Sequence, residues 1–173
     1  MIIKSATSEE EFVQIHQLNY KTFVEEIPQH EQHASKLLVD KFHPVNRYII
    51  AKKKEKLVGM VCYNCHRPFS LDQKLESIDE YLPAYNHLAE VRLLSVCSEE
   101  RNATVAYRLL QHLCAELIAA DIDMAVISGT TRQLRLYTRM GFTSFGPLVG
   151  KPGALYQPMY ITLNELRHDF RTC

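Results

Sequence analysis

Apolar and polar residues follow one another along this chain in blocks whose period changes from two to about 3.6, and those changes mark the elements. Ile2, Ile3 and Ser5 form a first short strand. Ser8 followed by Glu11 has the spacing of a capping box, in which each residue satisfies an amide at the helix start. The helix it opens turns Phe12, Ile15, Leu18 and Phe23 inward. It stops near Glu25-Glu26-Ile27-Pro28, because proline cannot continue a helix and restricts the residue before it. Residues 29–44 are polar and histidine-rich, with a short second helix expected around Ser35–Lys41. Arg47–Lys52 and Leu57–Tyr63 are apolar runs on either side of Lys53-Lys54-Glu55-Lys56, the pattern of a β-hairpin with a charged turn. Pro68 and Pro83 bracket an insertion carrying Leu71, Leu75 and Ile78, which covers part of a cleft or caps a sheet edge.

The most regular stretch runs from Leu88 to Leu117. Val91, Leu93, Leu94 and Val96 make a short apolar strand. After a polar join, Val105, Leu109, Leu113 and Leu117 recur at helical spacing, with Leu110 and Cys114 beside them, the signature of one buried helix face. Asp123–Ser128 is a further strand ending at Gly129. Thr130 or Thr131 can cap a helix bearing Leu134, Tyr137 and Met140, and Gly141 suits its C-terminal cap. Phe142-Thr143-Ser144-Phe145 begins a strand, residues 146–153 read as a loop, and Leu155–Leu163 is a last strand.

The 173 residues suit a single domain spanning 1–173 with a sizeable core, and 46% apolar with 23% charged residues is ordinary globular composition. No run is long enough to span a bilayer and no signal peptide is evident, so a cytoplasmic location is expected. A formal net charge of zero argues against a general nucleic-acid binder. The five cysteines read as free thiols. Cys62-Tyr63-Asn64-Cys65-His66 has the outline of a haem-attachment pattern but continues a strand, and zinc would need a second ligand pair. Buried thiols are the simpler reading. His30 and His33 stand at a spacing that can suit a metal, without a converging partner set, so no metal is expected. The lysines of the hairpin turn suit either a solvated turn or a docking patch for an acidic partner such as a carrier protein.

The chemistry concentrates around the join after the central strand. Ser98-Glu99-Glu100-Arg101-Asn102-Ala103-Thr104-Val105-Ala106 sits at a helix start, where unpaired N–H groups and the positive dipole end can hold a phosphate. Arg101 adds a permanent charge with a fork of donors. Strand, Arg101-Asn102-Ala103-Thr104-Val105-Ala106 and helix together resemble the cofactor-binding element of the GNAT superfamily of acyl-CoA N-acyltransferases, with Thr104 where the family usually has glycine. Leu136-Tyr137-Thr138-Arg139-Met140-Gly141-Phe142 resembles the family's late helix ending in Tyr-x-x-x-Gly-Phe. The element order from Ile2 to Leu163 is that of the family. A looser resemblance links residues 19–26, 39–42 and Glu90-Val91-Arg92 to the branch that makes N-acyl amino acids and acyl-homoserine lactones.

The resemblance implies an α/β (α+β) GNAT fold: a mixed, mostly antiparallel central sheet of about six to seven strands flanked by helices. It implies an N-acyltransferase, taking acetyl-CoA or another acyl-CoA as donor and a small-molecule amine or amino acid as acceptor, by direct attack on the thioester. It leaves open a long-chain N-acyl amino acid synthase fed by acyl carrier protein, and a module that binds acyl-CoA without turnover. By position, Glu90 is the candidate base that takes the amine's proton, and Tyr137 lies near the cofactor sulfur, suited to serve the leaving thiolate. A backbone N–H within Leu94, Ser95 and Val96 would meet the oxyanion. Pantetheine would pair with that strand, and Arg101, Asn102, Ala103, Thr104, Val105 and Ala106 would wrap the pyrophosphate. Residue chemistry alone also allows Glu90 to be a strand-end carboxylate paired with Arg92, and Tyr137 to be a core aromatic.

Overall fold

A computed structural model describes residues 1–101 and 103–163. It is a mixed α/β fold with eight strands in an open, mostly antiparallel sheet and helices beside it. The described residues pack as two compact units, the first within 1–63 and 93–113, the second within 64–92 and 114–163. Among the described residues no helix is long and apolar enough to cross a membrane.

In the first unit, β1 (Ile2–Ser5) pairs antiparallel with β2 (Arg47–Lys53), and β2 with β3 (Lys56–Asn64) through the expected charged hairpin turn. Between them in sequence runs α1 (Glu9–Tyr20), whose capping box forms in full. Glu11 N–H donates to Ser8 Oγ at 3.2 Å, and Glu11 Oε2 accepts the N–H groups of Thr7 and Ser8. Burial alone would push the Glu11 carboxyl up, but Lys4, these N–H donors and Lys52 outweigh it and hold its pKa at about 2. Ile15 and Leu18 of α1 pack on Tyr48, Ile50, Leu57 and Met60. The helix widens into a π-helical turn at Lys21–Glu26 before Ile27 turns extended, as the following proline dictates.

The helix expected around residues 35–41 is absent. Ser35 Oγ accepts the N–H of Leu37 at 3.3 Å, Asp40 Oδ1 accepts that of Phe42 at 2.9 Å, and Lys36 sits at φ 55°. Such local side-chain bonds compete with helical ones and favour turns. The segment is strapped to α1 instead: Leu38 N–H donates to His16 O at 3.0 Å, and Tyr20 Oη meets both the N–H and the carbonyl of His33 at 3.1 Å.

In the second unit, the first residues of β4 (Leu88–Val96) pair parallel with β5 (Met124–Thr130), Leu88 opposite Met124 through Val91 opposite Ile127. β5 pairs antiparallel with β8 (Ala154–Thr162), which also receives β6 (Thr143–Ser144) and β7 (Val149–Lys151). β7 falls in the stretch where the glycine and proline pattern predicts only a loop. Its Gly150 takes φ +105°, and a side chain there would put a Cβ 2.5 Å from Ala154 O, so glycine lets the hairpin close. The insertion is core rather than cover: Phe69, Leu71 and Ile78 are fully buried among Leu88, Met124, Val126 and Tyr156.

The helix of the second motif, α3 (Leu134–Arg139), starts after a 3-10 turn at Thr131–Gln133 and takes no side-chain cap from Thr130. Gly141 does close it, at φ 92°. Of the cysteines, Cys62 and Cys114 are buried as read from sequence, Cys97 is half-buried, Cys65 lies exposed past the end of β3, and Cys173 lies outside the described residues.

Candidate active site

The first unit carries the end of β4, the join and the start of α2 (Ala103–Ala119). β4 leaves regular strand geometry at Leu93, which sits at φ 58°, a left-handed conformation costly for a branched-chain residue. Beyond it, Leu94 is half-buried, and Ser95 and Val96 are buried. Ser95 Oγ is buried without a hydrogen-bond partner among the described residues. Gly59 on β3 lies close against the first turns of α2 and the end of β4. A Cβ at Gly59 would lie 3.1 Å from Val105 Cγ1, 3.2 Å from Leu109 Cδ1 and 3.2 Å from Ser95 O. A larger residue would require these neighbours to give by a few tenths of an ångström, so glycine suits the close approach of helix and strand.

The join itself is tied down by charge. Lys21 reaches Ser98 Oγ at 3.3 Å and Glu99 at 3.6 Å, and Lys53 pairs with Glu100 at 2.5 Å. Arg101 Nη2 donates to Glu26 Oε2 at 2.6 Å and to Val96 O at 3.2 Å. Both Lys21 and Glu26 come from the π-helical turn, so that widened turn supplies two of these ties. Asn102 lies outside the described residues. Ala103 begins the helix, Thr104 stands exposed, and Val105 and Ala106 are buried. Thr104 is thus exposed on the first turn of α2, four residues after the Glu100 that Lys53 holds.

The second unit carries Glu90, Arg92 and Tyr137. Glu90 is only 1% exposed. Its Oε1 accepts Leu71 N–H at 2.8 Å and its Oε2 accepts Ser70 N–H at 3.0 Å. Arg92 Nε stands 3.6 Å from Oε2. Burial raises the Glu90 pKa, opposed by Arg92, the two N–H donors and Lys74. Thus the carboxylate fastens the insertion to β4.

Tyr137 packs its ring against Gly129 of β5, where an added Cβ would meet Tyr137 Cδ2 at 3.1 Å and Met159 Sδ at 3.3 Å. Phe142 closes the other side edge-on, with ring centroids 5.8 Å apart. The phenol donates to Gln133 Oε1 at 3.2 Å, and burial lifts its pKa to about 12. It therefore keeps its proton at neutral pH.

The structure thus brings Val96 and Arg101 together, and gives Glu90 and Tyr137 partners of their own. Sequence reading missed the supporting residues: Glu26 and Lys21 on the join, Gly59 under α2, and Gly129 and Gln133 around Tyr137. Gln133 stands four residues before Tyr137, a helical spacing that was legible in principle; the two glycines inside strands marked close approaches.

Residues 12–142 match the model of the acetyltransferase (GNAT) family. No curated protein matches the sequence. Among solved structures, a CoA-dependent acyl-homoserine lactone synthase, BjaI, with SAM and isopentyl-CoA superimposes at TM-score 0.79 with 16% identity, over 96% of this chain and 86% of that one. FeeM, an N-acyl amino acid synthase from uncultured soil microbes, gives 0.73 with 17% identity, over 97% and 98%. An aminoglycoside 6'-N-acetyltransferase complexed with coenzyme A gives 0.67 with 14% identity, over 94% and 97%. The fold is theirs, and the chain belongs to the acetyltransferase (GNAT) family of acyltransferases.

Proposed function

We propose that the chain transfers an acyl group from a CoA thioester, acetyl-CoA or a longer acyl-CoA, to the amine of a small molecule, its two units serving as one acyltransferase domain in the cytoplasm. The observation that carries this reading is the Tyr137 phenol, buried, still protonated at neutral pH and held between Gly129 and Gln133. The thioester supplies the acyl group and a thiolate leaving group. The N–H groups at the start of α2 and the Arg101 guanidinium hold the pyrophosphate, and the backbone of Leu94–Val96 faces the developing oxyanion.

Tyr137 hydrogen-bonds the leaving sulfur, exchanging its one O–H from Gln133 Oε1 to the sulfur when the thioester is bound. With its pKa at about 12, against about 8.5 for an ordinary thiol, the phenol lends its hydrogen bond rather than surrendering its proton. Glu90 receives the amine's proton. Burial raises its pKa and so makes it a stronger base than an ordinary carboxylate. Two N–H bonds leave lone pairs on a carboxylate that offers about four, and 1% exposure means that the proton travels through a water.

The test is thiol release from acetyl-CoA and a long-chain acyl-CoA with a panel of amines, alongside thermal unfolding with each donor. A donor present at a hundred times its Kd adds about 2.7 kcal/mol, a rise of several degrees for a chain of this size. No shift and no thiol release with any CoA donor would overturn the CoA reading. Likeness to FeeM, an N-acyl amino acid synthase, supports a second reading, amino-acid acylation; in that reading we propose acyl carrier protein as the donor, and turnover with acyl carrier protein and none with CoA thioesters would select it.

A further inference from the structure

We propose that His16 on α1, stacked against His43, latches residues 33–46 onto that helix in its uncharged form, so that acid lifts this strap off α1. The inference is independent of the acyl-transfer reading. All the groups it involves lie within the first unit.

The strap is fastened at its two ends by different means. Its start is held by hydrogen bonds: Tyr20 Oη to the backbone of His33 at 3.1 Å, Leu38 N–H to the His16 carbonyl at 3.0 Å, and Asn19 Nδ2 to Leu38 O at 3.4 Å. Its end is held mainly by rings. A turn in which His43 N–H donates to Asp40 O and Asn46 N–H to Phe42 O, both at 2.9 Å, presents the His43 ring to three others. Ring centroids lie 4.9 Å away at His16, 5.4 Å at Phe12 and 5.5 Å at Tyr48. His43 Nδ1 also shares a hydrogen bond with Tyr48 Oη at 3.1 Å, and that oxygen accepts Asn46 Nδ2 at 3.1 Å. His16 thus takes part in both fastenings, the first through its carbonyl and the second through its ring.

The surroundings of the His16 ring favour its neutral form. The residue is 8% exposed, and its Nδ1 is buried without a hydrogen-bond partner among the described residues. A proton there would put an unpaired N–H and a positive charge out of water, against a second imidazole. The ionisable groups facing the pair are Glu9 from α1, Asp40 from the turn and Tyr48 from β2; Lys41 of the turn lies over the Phe42 ring at 5.2 Å. Asp40 Oδ1 is engaged by Phe42 N–H at 2.9 Å and Asn46 Nδ2 at 3.0 Å. Burial and then His43 lower the His16 pKa from the ordinary 6.5, and the opposing pull of Asp40 and Glu9 does not restore it.

The sign follows from that depression. A His16 released from the latch takes up a proton that the latched one refuses, so the latch is at full strength above pH 6.5 and weakens as pH falls below that value. At about pH 5.5 a freed histidine is roughly nine-tenths protonated, which favours opening by up to about ten-fold.

The experiment is amide hydrogen exchange, expressed as protection factors, at about pH 7.5 and 5.5 on either side of the ordinary histidine titration. It follows Leu38, His43 and Asn46 against amides of the β2–β3 pair, in wild type and in His16→Phe, whose ring cannot titrate and which loses no hydrogen bond of Nδ1. In wild type the strap amides are expected to lose several-fold to about ten-fold of their protection at the lower pH, with the β2–β3 amides unchanged, and the variant should lose none. A parallel NMR titration of the imidazole protons in wild type should find His16 titrating below 6.5, and it decides the matter even if unfolding curves show that the variant folds poorly. Constant protection of the strap, an equal loss in His16→Phe, a loss shared equally with β2 and β3, or a His16 that titrates at or above 6.5 would each overturn the proposal.

Discussion

Glu90→Gln separates two roles of a single carboxylate, anchoring the insertion and accepting a proton. In the native protein both oxygens accept a backbone N–H of the insertion, from Leu71 at 2.8 Å and Ser70 at 3.0 Å. A glutamine keeps one accepting oxygen and turns an NH2 group toward the other donor, leaving a buried N–H unpaired. That costs about 1–3 kcal/mol. Part is returned, because burying the charged carboxylate is itself unfavourable, which is why its pKa is raised. The expected net loss is about 1–2 kcal/mol, and at about 2–4 °C per kcal/mol for this chain length the melting temperature falls by several degrees. The pH dependence has a definite sign. With the folded-state pKa above 4.5, ionisation of Glu90 opposes folding, so its contribution to stability declines as pH rises from about 4.5 through the folded-state value. That slope disappears in the glutamine variant. If Glu90 also takes the amine's proton, kcat falls by about a hundred-fold or more, and the acidic limb of the rate profile vanishes. Calorimetric unfolding and steady-state rates across pH measure both. A melting temperature within about a degree of wild type would refute the anchoring argument, and an unchanged kcat would refute the base.

Other outcomes follow from the same geometry. Tyr137→Phe should lower kcat by about ten- to a hundred-fold with KM little changed, as expected when a donor serving the leaving group is lost; a KM effect alone would contradict the assignment. Gly129→Ala puts a Cβ 3.1 Å from the Tyr137 ring and should cost about 1–3 kcal/mol, read by thermal unfolding, with a parallel fall in kcat. Glu26→Gln removes a carboxylate from Arg101 in a pair whose partners are 50% and 29% exposed. It should leave stability within about 1 kcal/mol and tighten CoA binding a few-fold by lifting repulsion of the polyanion, whereas weaker binding would make Glu26 an orienting partner. Glu11, with its pKa at about 2 against an ordinary 4.5, contributes roughly 3 kcal/mol above pH 4.5 that is lost as pH falls toward 2; Glu11→Gln should flatten acid unfolding in that window.

Periodicity made most of the fold legible. The α2 face of Val105, Leu109, Leu113 and Leu117 is buried as its spacing required, and the Ser8–Glu11 box formed in full. These are local rules, decided by neighbours in sequence. What failed depended on competing side-chain bonds or on partners farther along the chain. Ser35 and Asp40 drew residues 35–42 into turns, and β7 exists because β8 pairs with it, not because residues 149–151 favour a strand. The same divide runs through the site. Tyr137 and Glu90 could be picked out by motif and strand position, while the Leu71 and Ser70 amides that occupy Glu90 lie 19 and 20 residues away, and no period connects them.

The distinction matters for what the site can do. Each chemical group singled out in the sequence is held by a second group that the sequence did not advertise: Arg101 by Glu26, Tyr137 by Gln133, Glu90 by the insertion's amides. Catalytic groups act through position, and a misplacement of about 1 Å can cost a hundred-fold in rate. Buried supports such as Gly129 should therefore be nearly as sensitive to substitution as the chemical groups, unlike the half-exposed Glu26. At Tyr137 the two separate: removing the hydroxyl lowers the rate with the smaller effect on stability, whereas removing the ring's support lowers stability and rate together. Gly129→Ala against Tyr137→Phe is the sharpest such contrast, because both act on one ring: the first moves it and the second takes away only its hydroxyl.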